Sequence, residues 1–391
     1  MDREEQHDES VSVSSGAGTF QRPVLAVVVA VWVILFLAIA ALSQLPRGQA
    51  AVPGEAGNDI AVGKAFSLQQ ARPSSIRVFG GVPLRVEDDG LAVLDAAGHE
   101  QSFIQYAYRE PHVFDAGEAL LIAPASGTEA MFVLPDHSTR EIGVKEIIQG
   151  GDYRDGYVLT LGQSAKSVGV VTLYKLSREE PLIKLPIAEQ GRPVRVAFAP
   201  GGGQFDVLLV DFSGGTPATR ILRYDFSGDL IFDRSYTDTD LMPAFLHLGE
   251  GETAFYSDHH VAVVSDDTGE VRASLTFEQI VQVERQAGRL AILGVEDGQT
   301  ALYYLPGPSS MSDKMFIRAD APVPLKSFAL SSDGMYALGA SGDEWMLFDT
   351  ITGNLLARRR GLDGTERVLT VGTREFLVLT SEDQASIVTI R

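Results

Sequence analysis

The sequence predicts an all-β chain of repeated four-stranded units held behind a single apolar helix. Three observations carry that reading. Ser327 to Leu356, SFALSSDGMYALGASGDEWMLFDTITGNLL, divides into four short β-prone runs. The runs are separated by Ser332-Asp333-Gly334, Ser341-Gly342-Asp343 and Thr352-Gly353, the residue types that tight hairpin turns require. Weaker copies of the pattern recur about every 35–50 residues, the period of a four-stranded blade. Ahead of them all lie nineteen uncharged residues, Val24 to Leu42. Together these give a seven- or eight-bladed β-propeller preceded by one N-terminal transmembrane helix.

Residues 1–22 are acidic, rich in Ser and Gly and poor in apolar side chains. They cannot bury enough surface to order themselves and are expected to form a disordered tail. Residues 23–45 hold the apolar run between Pro23 and Pro46. At about 1.5 Å per residue, Val24 to Leu42 spans roughly 29 Å, close to the thickness of a bilayer's hydrocarbon core. The run exceeds the core of a signal peptide and follows an acidic segment, so an uncleaved anchor is expected. Arg22 and Arg47 nearly balance each other across the helix, which leaves the positive-inside count almost even. Long following domains translocate largely regardless of charge, and the chain has no cysteine. The expected placement is therefore a single-pass protein of a bacterial inner membrane with its large C-terminal domain in the periplasm or outside the cell.

Residues 46–74 read as a linker, with one candidate strand at Ile60 to Leu68, and residues 75–391 as the propeller. The units start near Ser75, His112, Glu146, Pro193, Met242, Gln279, Ser327 and Glu366. The last, ERVLTVG, EFLVLTSED and QASIVTIR, has room for only three strands. A fourth must come from elsewhere if no sheet edge is to be left open. Ile60 to Leu68 and Ser75 to Gly81 are the two candidates, and the blade count turns on which of them closes the ring.

Composition narrows the function. Acidic residues outnumber basic ones 52 to 32, a net charge of −20, and such a surface repels a phosphate backbone, so no nucleic-acid partner is expected. The absence of cysteine excludes disulfides, thiolate metal sites and thiol nucleophiles.

Phe328, Ser331-Ser332-Asp333-Gly334, Gly339, Asp349 and Thr352-Gly353 resemble WD-repeat-like and related bacterial β-propeller repeats. Asp266-Asp267-Thr268-Gly269 matches the second half of that pattern. The resemblance is to the fold, and it implies a habit of binding partners, with no particular chemistry. The Trp-Asp dipeptide of the eukaryotic repeats is missing, which argues against an intracellular scaffold of that kind. Quinoprotein dehydrogenases are membrane-associated propellers with recurrent Trp motifs, whereas this chain has two tryptophans, Trp32 and Trp345.

No motif points to catalysis. Asp258-His259-His260 is the densest group of metal-ligand types, but neighbouring strand residues point to opposite faces, so a polar turn is expected. Glu87-Asp88-Asp89-Gly90, Asp233…Asp238…Asp240 and Asp266-Asp267 lack the alternating spacing that wraps calcium. Gly201-Gly202-Gly203 lacks the Lys and Ser/Thr of a phosphate loop. No metal or cofactor is expected. Arg358, Arg359 and Arg360 form the one basic cluster, expected in a solvated loop just past the fourth strand of the seventh unit, and are the candidate partner-binding residues. The resulting expectation is a non-catalytic, membrane-anchored scaffold, assembly factor or accessory subunit with a protein partner in the envelope. The alternative is an enzyme or ligand binder with its site in the central channel.

Overall fold

In this computed structural model, the described residues are 59–391 except 69–70, 109, 165, 188–190, 237–240, 250 and 307–315. The expected tail and transmembrane helix, and the first part of the linker, lie outside the described residues. Among the described residues no helix is long and apolar enough to cross a membrane. The only helical element among them is one 3₁₀ turn, Pro73–Ser75.

The apolar runs become the middle strands of sheets. Ala119–Pro124, Tyr157–Ser164, Gln204–Asp211 and Glu375–Thr380 are buried along most of their length, as strands covered on both faces must be. The last strand of each unit is more polar. Glu100–Gln105 and Thr139–Gly143 are largely exposed and form outer edges.

Six antiparallel sheets of four strands follow one another at residues 76–105, 111–143, 147–186, 192–236, 244–276 and 279–318. Each is a simple meander from its first strand to its fourth. The seventh sheet has seven strands, two of them unusually long. Tyr336–Asp349 pairs through its first half with Ser327–Leu330 and through its second half with residues 355–360. Leu355–Thr370 then pairs through its second half with Glu375–Thr380. The expected turn at Ser341-Gly342-Asp343 does not interrupt the strand. Gly342 turns the backbone at φ +62, while its pairing with Thr365 carries the ladder through.

Of the two candidate closing segments, the earlier one closes the sheet. Ile60–Val62 pairs antiparallel with Gln384–Ile390, in register Ile60 to Ile390, and Phe66–Ser67 pairs further along the same strand. Ser75 to Gly81 instead supplies Ile76–Phe79, the first strand of the first sheet.

The hydrophobic cores lie between neighbouring sheets. Leu84 and Leu91 of the first sheet meet Leu120 and Ile122 of the second. Leu159 and Leu173 of the third meet Phe205 and Leu222 of the fourth, and equivalent clusters join each later pair. Leu68 and Ile76 pack on Leu377 and Leu379, which returns the series to its start. The architecture is a β-propeller. A single four-stranded sheet cannot bury both faces alone, so each blade depends on the two beside it.

Candidate functional site

The first strands of successive sheets lie side by side around the axis: Pro111–Ala116 against Ile147–Arg154, that strand against Arg192–Phe198, and Gln279–Gln286 against Ser327–Leu330. Four strands share one irregularity, an extra residue in the ladder, at Gln149, Val194 and Val281 near the start of inner strands and at Glu366 where the second half of Leu355–Thr370 begins its pairing. Such bulges bend a strand and re-aim the side chains after them.

Asp152 and Glu284 both lie three residues beyond a bulge, at equivalent points of the third and sixth sheets. Each carboxylate accepts a hydrogen bond from the backbone of the next inner strand. The Phe198 N–H donates to Asp152 Oδ2 at 2.7 Å and the Leu330 N–H to Glu284 Oε2 at 2.9 Å. Gln282 adds a second link, donating from Nε2 to the Phe328 carbonyl at 2.8 Å and to Glu284 Oε1 at 2.7 Å. Ser327 Oγ accepts from the Val368 N–H at 3.2 Å. The inner ring is therefore stapled by side chains where neighbouring strands are not laddered together.

Burial governs the charges near the axis. It raises the Asp152 carboxyl, against the Phe198 N–H and the Arg154 charge. It pushes Glu284 up to about 7, against the Leu330 N–H, Gln282 and Arg367. It depresses Arg367, as does the neighbouring Arg77, while Asp115 and Glu284 act in the other direction.

On one side of these staples lies a cavity of about 830 Å³. Inner strands of five successive sheets supply its wall, including Asp115, Asp152, Arg154, Arg195, His247 and Arg285. Arg154 is held by hydrogen bonds to the carbonyls of Ala199 at 2.6 Å and Phe198 at 3.2 Å. Arg195 lies over the Phe245 ring, 6.0 Å from its centroid. Burial and the Arg154 charge both depress Arg285, with Asp152 opposing them.

His247 belongs also to a network behind the wall. Arg223 grips the fully buried Asp206 with Nε and Nη2, each at 2.7 Å, and reaches Asp266 at 3.3 Å. Thr253 donates to Asp266 at 2.7 Å and so accepts from His247 Nδ1 at 3.0 Å. His247 Nε2 stands 3.2 Å from Asp206 Oδ2. Burial alone would raise the Asp206 carboxyl, but Arg223 and His247 outweigh it and hold it below its ordinary value.

The residues singled out from sequence are placed as follows. Arg358, Arg359 and Arg360 lie within the strand Leu355–Thr370, not in a loop beyond it. Arg358 pairs with Glu344 and Arg360 Nε bonds Asp343 Oδ2 at 2.7 Å. Arg359 donates to the carbonyl of Ile60, on the closing strand. Asp258-His259-His260 is a turn running into a strand, with Ser257 Oγ accepting from the His259 and His260 N–H groups. Among the described residues no group of three His, Asp or Glu could hold a metal, and Asp238 and Asp240 lie outside them. Asp333 and Asp349 serve their turns. Asp333 Oδ1 accepts from the Met335 N–H at 3.0 Å, and Asp349 Oδ1 from the Ile351 and Thr352 N–H groups at 2.8 Å.

A family model described as a family of unknown function, DUF5711, matches residues 57–289, more than half of the chain. The chain belongs to that family. The matched span covers the closing strand and the first five sheets, and so most of the cavity wall. No curated protein matches the sequence. Solved structures share the fold of this DUF5711 member at low identity. The computationally designed protein Ika8 is 11% identical over 83% of this chain and 99% of its own, with a TM-score of 0.58. Apo AztD from Citrobacter koseri is 12% identical over 76% and 88%, at 0.52. BamB from Moraxella catarrhalis is 11% identical over 85% and 100%, at 0.50. At such identities the likeness is one of fold alone.

The sequence reading missed the cavity and the network. Asp206 carried a signal, because it interrupts the apolar run FDVLLV, where a charge must be paired. Arg154, Arg195 and Arg285 carried none. They are 41 and 90 residues apart along the chain, and only ring closure brings them together.

Proposed function

We propose that this chain is a membrane-tethered, eight-bladed β-propeller that serves as a non-catalytic scaffold or accessory subunit for a protein partner in the bacterial envelope. The seven-stranded sheet is read as two blades joined by a continuous ladder, the second completed by Ile60–Val62. One observation carries the count: Ala329, Leu338 and Trp345 from one half of that sheet pack against Phe376, Val378 and Val388 from the other, as neighbouring blades do elsewhere in the ring.

The tether is the apolar run Val24 to Leu42, with the propeller on the extracytoplasmic side. What supports a partner-binding role is a closed, stapled ring whose outer strands still expose apolar side chains. Phe103, Leu230, Ile231 and Val271 are each 39–48% exposed, on the outer strands of three sheets. Arg358 and Arg360 would add a charged docking edge beside the closing strand. Their side chains are 43% and 84% exposed despite their ion pairs, and exposed pairs of this kind are weak enough to exchange for a partner's carboxylates.

The test is purification of the full chain under several gentle detergents. A stable protein partner should co-purify, and the charge reversals Arg358→Glu and Arg360→Glu together should reduce its recovery without lowering the melting temperature. Recovery of the lone chain under every condition would sink the scaffold reading. A second reading, a ligand site in the central channel, is favoured by the polar side chains that converge on the axial cavity.

A further inference from the structure

We infer that the axial cavity binds a small multivalent oxyanion, a polycarboxylate or a phosphate compound, through Arg154, Arg195 and Arg285. This rests on the channel reading and gives it a ligand class. Three strands of the wall contribute one arginine each, from the third, fourth and sixth sheets, in a chain whose net charge is −20. Several arginines elsewhere in the chain are taken up by a carboxylate, as Arg85, Arg220, Arg223, Arg358 and Arg360 are. Among the described residues, Arg195 and Arg285 have no carboxylate within ion-pair distance.

The acid that acts on Arg285, Asp152, is already hydrogen-bonded elsewhere. Asp152 accepts from the Phe198 and Tyr153 N–H groups. Arg154 is fixed by two backbone carbonyls, so its position is set before any ligand arrives. Its charge disfavours the charge on Arg285, with Asp152 opposing it, and two guanidinium groups held on one wall are relieved further by an incoming anion. Arg195 lies over the Phe245 ring, and a guanidinium can make the planar, two-pronged contact that suits carboxylate and phosphate. The cavity volume of about 830 Å³ falls within the range of roughly 300–1,000 Å³ typical of small-molecule sites. Asp115 and Glu118 on the same wall are acceptors, and they favour an anion that also carries a hydroxyl group.

Isothermal titration calorimetry of the full chain in detergent, with citrate and inorganic phosphate as separate probes, tests this. Saturable one-site binding of at least one probe is expected, weakening with salt. Arg195→Gln combined with Arg285→Gln should raise its Kd at least tenfold at an unchanged melting temperature, while Arg360→Gln leaves it as it was. Citrate binding alone identifies a carboxylate site and phosphate binding alone a phosphate site. No saturable heat from either probe with folded protein overturns the inference, as does binding that survives the double substitution. Native mass spectrometry of the same preparation separates the two levels of failure. A co-purifying neutral or cationic small molecule, with no anion binding, overturns the oxyanion and keeps the channel as a ligand site. Bare protein with no anion binding removes both.

Discussion

Asp206 shows what a single buried carboxylate does in this chain. It is fully buried and held by both nitrogens of the Arg223 fork. Removing it leaves an arginine side chain only 12% exposed with one longer ion pair, to Asp266. Asp206→Ala should therefore cost about 3–5 kcal/mol, the usual penalty for breaking a buried pair from one side, and urea unfolding will read it. Glu284 makes a prediction of opposite character. Its carboxyl is raised to about 7 from an ordinary value of 4.5. The folded state therefore holds the proton more tightly than the unfolded chain. The stability this contributes is present below about pH 4.5 and is lost as pH rises through about 7. Glu284→Gln does not titrate, so the substituted protein should gain on the native one as pH climbs from 4.5 to 8. A wild-type-minus-variant difference that stays flat across that window in thermal melts would contradict the assignment.

At the scale of elements, the blades were legible and the inner ring was not. The turn residues around Asp333 and Asp349 announce hairpins because their side chains bond their own backbone, a local act that needs no tertiary context. The middle strands announce themselves through unbroken apolar runs such as Leu208 to Val210 and Phe376 to Leu379. The extension of the strand through Gly342 could not be read, since it depends on Thr365 lying opposite. Nor could the staples of Asp152 and Glu284, whose partners lie 46 residues ahead on another sheet. Arg358–Arg360 read as a loop because three successive charges suggest solvent, yet an outer strand tolerates them. Close packing gives this level its own test. A Cβ on Gly361 would sit 2.0 Å from the Trp345 ring, a fully buried side chain whose Nε1 donates to Thr365 at 3.1 Å. Gly361→Ala should destabilise by about 1–3 kcal/mol through overpacking. Near-ultraviolet circular dichroism should show the altered tryptophan environment.

At the scale of the whole molecule, the cavity exists only because the ring closes. The strands that line it are far apart in sequence, and ring closure is driven by the apolar cores between sheets. A substitution that opens the ring should reach the axis without touching it. Ile60 is fully buried in the closing strand, so Ile60→Asp places an unpaired charge in a core. It should expose Gln384–Ile390 to hydrogen exchange first and abolish any binding in the channel, although Ile60 does not line it.

The closing strand has one more consequence. Asp59 and Arg391 exchange backbone hydrogen bonds, Arg391 N–H to the Asp59 carbonyl at 2.9 Å and Asp59 N–H to the Arg391 carbonyl at 3.2 Å. Asp59 and Arg391 are thus neighbours at the closing junction of the ring. A circular permutant of residues 59–391, with a short Gly/Ser bridge across that junction and new termini cut at the exposed Gly201-Gly202-Gly203 turn, should fold to the same sheets, as surface turns tolerate such cuts. Its ladder of closure would then lie within one continuous stretch of chain, and a melting temperature close to that of the unpermuted protein is the expected result.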